Sequence, residues 1–89
     1  MFDTSNYEDK VPSHLLEALV GWGKKETFVG GFLRAVLSND LKGAIGRADS
    51  ESLEAIKSIV MFIHWELPSA CQGSVEKFIE WESTIRQGV

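Results

Sequence analysis

Apolar residues recur along this chain every three or four positions, and no stretch alternates with a period of two, so the pattern predicts helices and no strands. Leu15, Leu16, Leu19, Val20 and Trp22 form a first stripe after Pro12, whose missing N–H suits a helix start; Gly23 marks its end. A second stripe, Val29, Phe32, Leu33, Val36 and Leu37, follows Thr27 as its expected cap. The period continues through Leu41, Ala44, Ile45 and Ala48, so apolar spacing alone permits one helix from Phe28 to about Arg47. Ser38, Asn39 and Asp40 argue for two. Three successive capping residues compete with a helix interior by bonding their own backbone.

Asp49 or Ser50 starts the next helix, the expected central one, with Leu53, Ile56, Ile59, Val60, Ile63 and Leu67 on its apolar face and Pro68 as its stop. Ser74 caps a last helix that turns Val75, Phe78, Ile79 and Ile85 inward and frays near Gly88. Residues 1–11 are polar and aperiodic, which predicts an arm anchored by Phe2 or Tyr7. The expected fold is all-α: one domain over residues 1–89 with four or five helices. Gly30, Gly31, Gly43 and Gly46 weaken their helices, which suggests close approach of neighbouring groups.

Composition narrows the function classes. The chain has 89 residues, 44% of them hydrophobic and 25% charged, which suits one small globular domain. Nine basic against thirteen acidic side chains give a net charge of −4, which argues against general affinity for nucleic acid or anionic membrane. The longest apolar run, Ile59 to Ile63, has five residues where a spanning helix needs about 20. A lone Cys71 closes no internal disulfide and the first ten residues lack a secretory pattern, so the cytoplasm is the expected location.

No motif names a reaction. His64 and Cys71, with Glu66 between them, are a nucleophile and base close in sequence, but without a recognisable oxyanion site the bland reading is a helix histidine beside a packed cysteine. No enzyme activity is expected. His14, His64 and Cys71 match no metal-ligand spacing, and neither metal nor cofactor is expected. The run from Gly21 to Thr27 lacks the spacing and preceding strand of a phosphate loop. Lys24 and Lys25 either hold an anion ahead of a helix or complement the end of the first one. Asn39, Asp40, Arg47 and Asp49 form a polar cluster in an apolar region, with Arg34 five to six residues upstream, read equally as a ligand site or as capping plus an Arg47 to Asp49 or Glu51 ion pair. Trp22, Trp65 and Trp81 are first read as core, although Trp65 and Trp81 fall off the main stripes and so are candidates for partner contact.

One stretch is distinctive: Gly31-Phe32-Leu33-x-Ala35-Val36-Leu37-x-Asn39-Asp40-Leu41-x-x-Ala44-x-x-Arg47-Ala48-Asp49. With Val11-Pro12-Ser13-His14 and Leu15 before it, and Glu66-Leu67-Pro68, Cys71 and Gly73-Ser74 after it, the chain resembles a family of small, mostly uncharacterised bacteriophage and prophage proteins. Where members often carry Pro-Gly-Ser and Tyr-Asn, this chain has Val29-Gly30-Gly31 and His64-Trp65. The resemblance implies a dispensable accessory protein that counters host defence in the host cytoplasm. Two routes are open: sequestering a small anionic, cyclic-nucleotide-like signal through Arg34, Arg47, Lys24, Lys25 and Trp22, or covering a host defence protein through Trp65, Trp81, Glu80 and Glu82. The alternative expectation is a phage assembly protein that forms homo-oligomers through its tryptophan-bearing faces.

Overall fold

The computed structural model describes residues 2–88, so Met1, the first residue of the expected arm, and Val89 lie outside the described residues. Six α-helices follow one another: α1 (Ser13–Gly23), α2 (Gly31–Leu37), α3 (Leu41–Arg47), α4 (Ser50–Glu54), α5 (Ile56–Glu66) and α6 (Val75–Gln87). A 3₁₀ turn, Ser69–Cys71, links the last two, and no strand occurs among the described residues. The all-α expectation is met. The helix count reaches six because the expected central helix breaks at Ala55, where ψ rises to 0° between α4 and α5.

The break between α2 and α3 falls where the capping residues place it. Asn39 takes a left-handed conformation, φ 64°, its N–H donates to the Val36 carbonyl, and the Asp40 N–H donates to that of Ala35. These bonds close the end of α2 as a Schellman turn. Asp40 then starts α3 by accepting the Gly43 N–H at Oδ1, 3.0 Å away. A side chain at Gly43 would strike that carboxylate, so glycine leaves room for the cap. Gly31 is likewise crossed by the Arg47 side chain, whereas Gly30 and Gly46 face open space.

A second Schellman turn ends α1, with Lys25 left-handed at φ 62° and the Glu26 N–H donating to the Gly21 carbonyl. Thr27 belongs to this turn: its N–H also reaches the Gly21 carbonyl and its side chain fills the space above Gly21. It therefore does not cap α2, which begins four residues later behind an extended Gly30. Asp49 and Ser74 do cap α4 and α6, accepting from the Ser52 and Lys77 N–H groups.

The core gathers Trp22, Phe62, Phe78, Leu19, Leu37, Ile59, Ile85 and Cys71, all fully buried. Trp22 stacks on Phe78 with ring centroids 4.6 Å apart and planes within 17°. The arm is held at both expected points, by Tyr7 edge-on to Phe62 and by Phe2 against Gly23 and Leu67. No helix among the described residues is long and apolar enough to cross a membrane.

Candidate functional site

Folding α3 back on α2 brings part of the polar cluster together. Arg34, Ser38, Asp40 and Arg47 surround a pocket of about 290 Å³, closed at its sides by Gly31, Ala35 and Val75. Arg34 lies over the Phe78 ring at 4.8 Å and meets Glu82 at 3.8 Å, while Arg47 makes a long 3.4 Å hydrogen bond to the Gly43 carbonyl. The expected ion pair from Arg47 to Asp49 or Glu51 does not form among the described residues. Asn39 and Asp40 act as caps, and Asp40 also brings a carboxylate to the rim shared by the arginines. Because Arg47 is solvent-exposed, Arg47→Ala should change stability by no more than about 0.5 kcal/mol in a urea titration.

The other residues named for anion binding lie elsewhere. Trp22 is buried and its Nε1–H donates to the Cys71 carbonyl at 3.1 Å, so no ring face remains for a ligand. Lys24 and Lys25 are separated from α2 by the Schellman turn and Thr27–Gly30, and neither lines the arginine pocket. Lys25 instead places its ammonium 4.4 Å from the Trp81 ring centroid. Trp81 is half-buried, donating Nε1–H to the Trp22 carbonyl at 2.7 Å, which ties α6 to the end of α1.

His64 and Cys71 do not form a nucleophile–base pair. The His64 ring sits edge-on to Trp65, whereas the Cys71 thiol donates to the Pro68 carbonyl at 3.1 Å. Burial pushes the Cys71 thiol up from 9.0 to about 11. The fold thus keeps a proton that the unfolded chain releases, and stability contributed by this thiol falls as pH rises between those two values. In that window the urea midpoint of the native protein should decline more steeply than that of Cys71→Ala; parallel curves would contradict the assignment.

A different surface stands out. On α5, positions 57, 60, 61, 64 and 65 occupy one side of the helix, opposite Phe62 and Ile59. Val60, Met61 and Trp65 are exposed there, Trp65 by 68%. Leu41 on α3, 70% exposed, lies across a groove of about 270 Å³ whose walls include Ala44, Ile56, Val60 and Ile63. Ile45, one turn beyond Leu41, is exposed as well. Asn39, Asp40, His64 and Gln72 supply the groove's polar rim. Of the two tryptophans named for partner contact, Trp65 belongs to this face and Trp81 does not. Glu82 is occupied by Arg34 and Arg86, leaving Glu80 as the free carboxylate of the pair named with them.

The sequence pattern placed Leu53 and Val60 on the buried stripe, yet both reach solvent. The signal for this face was the crowding of apolar residues at 59–63 and 65, more than one buried stripe of a helix accommodates. Comparison of the chain with protein-family models, curated proteins and solved structures found no match.

Proposed function

We propose that this chain is a non-enzymatic phage or prophage accessory protein that counters host defence by covering the working surface of a host defence protein with its α3–α5 face. One observation carries the binding role: Leu41 and Val60 stay exposed on the walls of one groove, and Ile45, Met61 and Trp65 are exposed on the same two helices, α3 and α5. Contiguous apolar exposure bordered by polar groups is what protein interfaces present before they close. The resemblance of the Gly31 to Asp49 stretch to phage proteins supplies the setting. Action in the host cytoplasm follows from that setting.

Capture of a small anion is the second reading, favoured by Arg34, Ser38 and Arg47 around one pocket. It ranks lower because no aromatic ring lines that pocket and Asp40 opposes an anion there. Deleting the gene and plating the phage on hosts that each carry one defence system tests both. Loss of plating on at least one host, restored by Arg34→Ala/Arg47→Ala but not by a variant of the α5 face, supports surface blockade. The reverse pattern supports anion capture. Equal plating of the deletion on every host overturns the anti-defence reading.

A further inference from the structure

The chain leaves the hydrophobic core at Leu37 and rejoins it at Ala55. Between them, α3 and α4 turn no large apolar side chain inward: Leu41, Ile45 and Leu53 are all exposed, and the buried residues of the two helices are Ala44 and Ser52. Polar ties are equally local. Among the described residues, the caps, turns and side-chain hydrogen bonds of 41–54 close within 40–55, as from the Gly43 N–H to Asp40, the Ser52 N–H to Asp49 and the Ala55 N–H to the Glu51 carbonyl, and no ion pair involves the segment. Helix α3 leans on α2 through the Arg47 side chain over Gly31, where both residues are exposed. Each end carries a backbone break, Asn39 at φ 64° before α3 and Ala55 at ψ 0° after α4. A stretch with few buried apolar groups and self-contained hydrogen bonds opens at a lower free energy than the whole domain.

We propose that residues 40–54 form a flap hinged at Asn39 and Ala55, which opens as one unit while the core of α1, α2, α5 and α6 stays folded. Helices of seven and five residues are not stable in isolation, so a flap that leaves the body also melts. Its closure builds both candidate surfaces. Leu41 and Ala44 of the flap share the groove with Val36, Ile56, Val60 and Ile63 of the body, and Asp40 and Arg47 of the flap share the arginine pocket with Arg34 and Ala35. The two sites thus have one moving wall in common. Whatever bridges flap and body at one site holds the flap shut and favours formation of the other. A host protein seated on the α3–α5 face spends part of its binding energy on that closure; this consequence rests on the proposed function, whereas the opening itself does not.

Native-state hydrogen exchange of the full chain in a series of low urea concentrations, read amide by amide by NMR, tests this. The amides of Ile45, Gly46 and Arg47 in α3 and of Leu53 and Ala55 around the end of α4 should share one protection factor, about a hundredfold below that of Phe62, Phe78 and Ile85 and only weakly dependent on urea. Asp40→Ala removes the α3 cap and should lower protection in α4 by the same factor as in α3, on the order of fivefold. Gly46 faces open space, so Gly46→Ala should strengthen α3 and raise protection in both helices together, by about threefold. That variant carries the test alone if Asp40→Ala loses its thermal transition. Flap amides that exchange as slowly as those of α6, or a variant that moves α3 and leaves α4 unchanged, overturn the proposal while leaving the plating test of the α5 face intact. Conversely, a deletion that plates equally on every host overturns the anti-defence reading and not the flap.

Discussion

Trp22→Ala should bring this domain to the edge of unfolding, lowering its melting temperature by tens of degrees. Trp22 has no exposed surface, stacks on Phe78 and supplies the hydrogen bond to the Cys71 carbonyl. Truncating a buried aromatic costs about 3–5 kcal/mol through lost transfer energy and the cavity left behind. A chain of 89 residues has a total stability of roughly 4–13 kcal/mol on the usual per-residue scale, so the loss removes a large share of it. Each kilocalorie shifts the midpoint of a domain this size by about 4–8 °C. Trp22→Phe should retain most of the ring contact and cost about 1–3 kcal/mol, mainly for the unpaired Cys71 carbonyl. Circular-dichroism melts of both variants decide it: a near-native midpoint for Trp22→Ala would mean that the indole is not the keystone of the α1–α6 contact. The same result bears on anion capture, because a buried Trp22 loses function only by losing the fold.

The contrast among the three tryptophans shows where the sequence stops being legible. Local chemistry writes its own signals: Ser38-Asn39-Asp40 broke the long stripe because Asn39 accepts a left-handed turn and Asp40 caps the helix that follows. Pro68 and Ser74 act at the positions their chemistry requires. Lys25 carries no such signal, since a lysine in a left-handed C-terminal turn looks like any lysine, and so α2 was expected to begin at Phe28. Nothing around Ala55 marks the break between α4 and α5. The arginine pocket was half legible: the α2–α3 turn that unites Arg34 with Arg47 is local, while the exclusion of Lys24, Lys25 and Trp22 depends on how α1 packs against α6. Burial of Trp22 depends on a long-range partner, Phe78, whereas the exposed Trp65 has its aromatic contact with the adjacent His64.

Trp65→Ala should therefore separate function from folding. With 68% of Trp65 exposed and its ring touching His64 edge-on, its removal opens no cavity, and stability should stay within about 0.5 kcal/mol of the native value. Its contribution to a partner is a different matter. A tryptophan near the centre of a desolvated interface contributes about 2 kcal/mol or more, which weakens binding on the order of thirtyfold. Trp65→Ala should then plate like the gene deletion on the sensitive host while melting like the native protein. Trp81→Phe gives the inverse control, because Trp81 Nε1 is bonded to the Trp22 carbonyl at 2.7 Å and its loss weakens the contact between α6 and α1. That variant should melt earlier yet, where it still folds at the growth temperature, plate like the native phage. If Trp65→Ala instead plates normally with an unchanged melt, the α5 face is not where the host protein is covered, and Arg34 and Arg47 become the residues to vary.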